Sequence, residues 1–150
     1  MDLTEHFSSD EMSHSGVALR RGIGNVPNPA QLDNLKTLCV VLLEPIRWLL
    51  ESPLHVNSGF RNSIVNSLVG GAADSAHLDG RACDFVPTEK DLVESFHRIR
   101  RSQLPYDQLI LECNAWIHVA IAKDGETPRR EALVASGGPR DWHYTRLEAL

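Results

Sequence analysis

Ser75-Ala76-His77-Leu78-Asp79-Gly80-Arg81-Ala82-Cys83-Asp84 is the stretch from which the rest of the chain is read. It sets a histidine and an aspartate seven residues apart across a turn of small residues, and Asp84 falls in a run, Ala82 to Val86, that reads as a strand. One ligand leaving a loop and another fixed on a strand are able to close onto a divalent cation. A catalytic zinc site needs only three protein ligands, the fourth position being left to water. Period-two alternation in Ala115-Trp116-Ile117-His118-Val119-Ala120-Ile121 puts Trp116, His118 and Ala120 on one strand face, which makes His118 the third candidate. Two histidines and one aspartate around zinc form a hydrolase site. Cobalt or manganese would fit the same ligands, and zinc is expected because it is the commoner occupant of such a set.

Hydrolysis of a peptide also needs a group that takes a proton from water and returns it to the leaving amine. Glu112 lies six residues before His118, at the end of the preceding strand-like run. Strand geometry makes a sharp demand on it. A two-residue hairpin loop, Asn114-Ala115, pairs Glu112 with Ile117 and turns it away from His118; a three-residue loop, Cys113-Asn114-Ala115, pairs it with Trp116 and brings it to the His118 face. An odd loop therefore favours Glu112, and an even one favours the rival carboxylate Asp107. Arg61, held after a strand by Ser58-Gly59-Phe60, is placed to meet a substrate carboxylate or a developing oxyanion, or else to pair with a surface acid. Ser75 either hydrogen-bonds substrate or caps the loop that carries His77.

Outward from these residues, Ser8-Ser9-Asp10-Glu11 has the form of a capping box and Gly22 to Pro29 reads as loop. A long helix is expected from Pro29 to Leu50, capped by Asn28, with Leu32, Leu35, Leu38, Cys39, Leu42, Leu43, Ile46 and Leu49 as its buried stripe and a kink at Pro45. A strand over Leu54 to Ser58 and a short helix capped by Asn62 or Ser63 and ending near Val69 follow. A second amphipathic helix begins at Thr88-Glu89-Lys90-Asp91 with Leu92, Val93, Phe96 and Ile99 on one face, and strands at 107–112 and 116–122 form a hairpin. From Lys123 onward Glu126 to Arg130 and Gly137-Gly138-Pro139 read as loop, and Asp141 to Leu150 reads as a last strand or a docked turn.

With 150 residues the chain has one domain's worth of length, and its 42% hydrophobic and 23% charged residues are globular averages that argue against a disordered or membrane protein. The longest apolar run, Leu38 to Leu43, is too short to span a bilayer, so no stable membrane association is expected. A net charge of −5 argues against a general nucleic-acid binder. Met1 to Glu5 lacks a secretory layout, so the expected site of synthesis and storage is the cytoplasm. Cys39, Cys83 and Cys113 are expected to be buried free thiols. His6, His14, His97 and His143 read as solvated surface, and His55 as a strand residue facing away from the core.

Taken together, Ser75, His77, Gly80, Ala82 and Asp84 in the form Ser-x-His-x-x-Gly-x-Ala-x-Asp resemble the signature of the zinc D-alanyl-D-alanine carboxypeptidases and L-alanyl-D-glutamate endopeptidases. Ser58-Gly59-Phe60-Arg61 is similar to that family's Ser-Gly-Tyr-Arg segment, and Trp116-Ile117-His118-Val119 to its Trp-x-His-x strand. Leu3-Thr4-Glu5-His6-Phe7 and Asn25-Val26-Pro27 resemble a phage-associated branch. The resemblance implies an α+β fold, a central antiparallel sheet flanked by helices in a single domain, shared with lysostaphin and the hedgehog signalling domain. It implies Zn2+ on His77, Asp84 and His118, substrate contact by Arg61, and a peptidoglycan stem peptide as substrate. Many members carry the catalytic acid three residues before the last histidine, where this chain has Ala115; the phage-like branch implies Glu112 in that role. The expectation is a monomeric phage or prophage endolysin, kept in the host bacterial cytoplasm until release and acting on the periplasmic cell wall. The alternative is a catalytically silent zinc module that binds wall peptides or a protein.

Overall fold

The computed structural model describes residues 1–138 and 141–150. Its strands, β1 (Leu54–Ser58), β2 (Ala82–Pro87), β3 (Gln108–Glu112), β4 (Trp116–Ala120), β5 (Glu131–Gly138) and β6 (Asp141–Arg146), form one sheet in the order β1-β2-β4-β3-β5-β6. Every neighbouring pair is antiparallel except β3 and β5, which run parallel, so the antiparallel expectation holds for four of five pairings. The exception follows from chain direction. β4 returns to the level where β3 starts, and the connection 121–130 passes beneath that end, so β5 sets off alongside β3. The result is an α+β fold.

The helices are α1 (Ser9–Ser13), α2 (Gly16–Arg21), α3 (Pro29–Leu38), α4 (Glu44–Leu50), α5 (Ser63–Leu68) and α6 (Leu92–Arg101). A full capping box between Asn28 and Gln31 starts α3, and Pro29 fills the first helical position. The kink expected at Pro45 takes the form of a π turn, Cys39–Leu43, joining α3 to α4. Proline has no N–H to give Val41 and its ring crowds that carbonyl; widening the turn, with Glu44 N–H donating to Cys39 O, accommodates it. The wider turn advances the buried stripe by fours through Leu38, Leu42, Ile46 and Leu50, and leaves Leu49 only half-buried.

Leu35, Leu38, Leu42, Leu43 and Ile46, with Phe96 and Ile99 of α6, pack on Cys83, Phe85, Leu109, Leu111, Ile117 and Val119, the residues of one sheet face. Their neighbours in sequence therefore occupy the opposite face, and that face carries the site. Several expectations need correction. Val93 is exposed, because the core-facing stripe of α6 runs through Phe96 and Ile99. Cys113 is exposed in the β3–β4 loop, unlike buried Cys39 and Cys83; burial pushes the Cys39 thiol up to about 12. Gly16 to Arg21 is a helix capped by Ser15, where no element is expected from the sequence pattern. Glu131 to Gly138 is a strand although Gly137 and Gly138 read as loop, and Asp141 to Arg146 is the last strand; Pro139 lies outside the described residues.

Asp107 anchors the crossing connection. Its carboxylate takes Arg129 Nε at 3.1 and 3.2 Å, Arg129 Nη2 at 2.9 Å and Arg129 backbone N–H at 3.0 Å, while Arg130 lies over the Tyr106 ring at 4.4 Å. Burial alone would raise the Asp107 pKa, but the Arg129 contacts outweigh it and hold it low. A depressed folded pKa contributes stability above the unfolded value of about 3.9 that is lost as pH falls through the folded value. Asp107→Asn should therefore cost about 1 kcal/mol in urea melts at pH 7, since Arg129 is largely exposed and screened. The gap to wild type should narrow as pH falls below about 3.9 and close only once the pH has passed beneath the depressed folded value, where both chains carry a neutral side chain.

Candidate metal centre

Asp84 on β2 pairs with His118 on β4, and His118 pairs with Ile110 on β3, so their side chains share one face. Two residues along, Glu112 pairs with Trp116 on that same face. The hairpin loop is thus Cys113-Asn114-Ala115, the three-residue alternative, with Cys113 and Asn114 in left-handed conformations (φ 53° and 50°) and Ala115 N–H donating to Glu112 O at 2.8 Å. Asp107 lies before β3 and is engaged by Arg129, away from this face.

His77 arrives from the tight turn Ala76–Asp79 that precedes β2. Helix α3 holds this turn: Gln31 Nε2 donates to Leu78 O at 3.1 Å and Asn34 Nδ2 to Asp79 O at 2.8 Å. Gly80 ends it with φ 75°, and a Cβ there would sit 2.5 Å from Gln31 O, so both conformation and space demand glycine. Arg81 then ties the turn to the end of β4, bonding Asp79 at 2.9 Å and Ile121 O at 3.2 Å. Ser75 caps the turn by accepting from His77 N–H at 3.2 Å, the loop-capping alternative for this hydroxyl.

From the other side, a bulge between Val56 and Ser58 ends the regular pairing of β1 and sends Gly59 to Arg61 across the turn. Gly59 O accepts from His77 Nδ1 at 2.6 Å, and Arg61 N–H donates to His77 O at 3.1 Å. The first bond places the ring proton on Nδ1 and leaves Nε2 as a lone-pair donor, the arrangement that metal-binding histidines use. Nε2 lies 3.3 Å from Asp84 Oδ1, and His118 Nδ1 lies 2.8 Å from the same oxygen. The imidazoles are 5.2 Å apart and inclined at 60°. One ligand atom from each of the three residues lies within 4.8 Å of the others, all at buried or nearly buried positions. Such a compact set of two imidazole nitrogens and a carboxylate oxygen fits a zinc ion.

The charges follow from burial and contact. Burial opposes ionisation of Asp84, but His77 and His118 overcome it and hold the carboxyl well below its ordinary range. Burial keeps His77 low despite Asp84, so its ring stays neutral. His118 goes the other way, because the hydrogen bond and charge of Asp84, with Glu112 behind, outweigh burial. Glu112 is raised by burial and by Asp84, against the opposing pull of His118, Arg61 and Trp116. Arg61 is half-buried and lowered by burial, with Asp84 and Glu112 as its nearby acids; its Nε is buried and without a hydrogen bond, as is Trp116 Nε1. Of the residues singled out from sequence, His77, Asp84, His118, Glu112 and Arg61 thus gather at one place. Trp116 belongs with them, its strand position opposite Glu112 being the signal for it.

Comparison with protein-family models matches residues 5–120 to Peptidase M15. The chain belongs to the Peptidase M15 family. No match is found among curated proteins. Peptidases of the M15 family are zinc-dependent, which agrees with the His77, Asp84 and His118 cluster. The M15 match takes in Gly59 and all three of these residues, and stops before β5 and β6.

Gly59 is the point on which this M15 centre is most sensitive to a single methyl group. A Cβ there would lie 2.2 Å from Met12 O, the same carbonyl that receives Phe60 N–H at 2.7 Å. Gly59→Ala should lower the urea midpoint and weaken zinc binding by about 10- to 100-fold, because the carbonyl that orients His77 must move. Gly24→Ala, into open space, should leave both within error.

Proposed function

We propose that the chain is a zinc metallopeptidase that hydrolyses a peptide bond next to a D-amino acid in the stem peptide of peptidoglycan. The observation that carries this reading is the gathering of His77, Asp84 and His118 with Glu112 one strand away on the same face. His77, Asp84 and His118 would hold the metal. A zinc ion bound there supplies a Lewis acid and makes water acidic enough to react near neutral pH. Glu112, raised in pKa and facing the ligand set, takes a proton from water onto a carboxylate oxygen and passes it to the departing amine. Arg61, whose Nε has no partner, supplies a cation that suits a substrate carboxylate, and Trp116 stands opposite Glu112 and helps hold its pKa down. Ser75 contributes through the turn it caps.

The likeness of Leu3 to Phe7 and Asn25 to Pro27 to the phage-associated branch supports a lysis enzyme, held in the bacterial cytoplasm and released onto the wall. Added to permeabilised Gram-negative cells, the protein should clear them; intact cells would remove the lytic role. The peptidase reading is tested by mass spectrometry of peptidoglycan digests. Zinc-loaded wild type should release stem-peptide fragments bearing a new amino terminus. Glu112→Gln should lose about 10²- to 10⁴-fold in rate with zinc content unchanged. An inert wild type carrying stoichiometric zinc would instead favour the catalytically silent zinc module.

A further inference from the structure

The last hairpin extends the face that bears the metal centre. β5 pairs with β3 so that Glu112 lies opposite Ala135, and β6 pairs with β5 so that Ala135 lies opposite Tyr144 and Gly137 opposite Trp142. Residues directly opposite share a face, so Trp116, Glu112, Ala135 and Tyr144 form one row across four strands, with Trp142 beside it. Two strand spacings put the Tyr144 backbone about 10 Å from that of Glu112. Only small residues, Ala135 and Gly137, stand on β5 opposite the two rings. The Tyr144 hydroxyl feels the Glu112 charge, which adds to burial in raising its pKa.

The rings of Trp142 and Tyr144 are 6.4 Å apart and inclined at 33°; Tyr144 is 53% exposed and Trp142 half-buried. Among the described residues the charges on β6 itself are paired, Arg146 with Glu131 and His143 with Asp141 at 3.0 Å, and Glu112 is the acid towards which the row leads. An open Tyr144 ring beside a half-buried Trp142, with no free cation on β6 among the described residues, suits a flat, neutral group with an apolar face and a hydroxylated rim, which is a pyranose. The charged ends of a stem peptide find their cation at Arg61 instead.

We propose that Trp142 and Tyr144 form a platform for a saccharide ring of the substrate, so that the chain holds the glycan while it cuts the attached peptide. This rests on the peptidase reading for its substrate, and the residues lie outside the M15 match. The test compares a free stem peptide with the same peptide on its amino-sugar disaccharide, using wild type, Trp142→Ala and Tyr144→Ala, each checked for folding by thermal melts. Expected is a rise of about tenfold in KM for the disaccharide-peptide with the free peptide unaffected, and conservative Tyr144→Phe keeping most of the effect. Equal losses on both substrates, or none on either, overturn the platform. A separate arm titrates the disaccharide alone into metal-free protein and follows the Trp142 indole resonance by NMR. A saturable shift supports the platform even if neither peptide is cut, in which case the peptidase reading alone fails; no shift in folded wild type overturns the platform whether or not the alanine variants fold.

Discussion

A carboxylate buried between two imidazoles is the constraint around which this molecule is arranged. Asp84 shares one oxygen between His77 and His118 at 3.3 and 2.8 Å. An unpaired charge at such depth would be prohibitively costly; His118 Nδ1–H answers this one, and the lone pair of His77 Nε2 beside it makes the three residues a candidate metal site. Asp84 has that setting because β2 lies inside the sheet, with β1 on one side and β4 on the other. Its neighbours Cys83 and Phe85 are fully buried on the opposite face, so β2 has no freedom to slip by one residue without exchanging core for site.

The same two-residue period links packing to chemistry throughout. Ile117 and Val119 fix β4 in the core and thereby aim Trp116 and His118 outward; Leu109 and Leu111 do this for Ile110 and Glu112. Of the three candidate ligands His77 alone comes from outside the strands, and it has the most backbone support. Helix α3 holds its turn from one side and the Gly59–Arg61 segment from the other. Rigid strands supply two of the candidate ligands, and a clamped turn supplies the third.

Much of this was legible in the residues because it is local or periodic. The His77 to Asp84 spacing and the alternation around His118 are written within a few positions of one another; the sequence leaves the length of the loop after Glu112 open, and the pairing of Glu112 with Trp116 gives it as three residues, which puts Glu112 rather than Asp107 on the His118 face. What was hidden depends on distant partners. Asp107 finds Arg129 22 positions later. β5 owes its strand form to the exposed edge of β3, and two terminal glycines disguise it. The π turn at Cys39–Leu43 conceals itself because an apolar stripe advancing by fours resembles one advancing by threes and fours until Leu49 and Leu50 exchange places.

The most direct test of the account is X-ray absorption spectroscopy at the zinc edge on the purified, zinc-loaded protein. The account predicts one zinc per chain in a shell of nitrogen and oxygen near 2.0–2.1 Å, with outer-shell scattering from two imidazoles and no sulfur. Scattering from sulfur near 2.3 Å, which would bring in Cys83 or Cys113, or the absence of stoichiometric zinc, would contradict it.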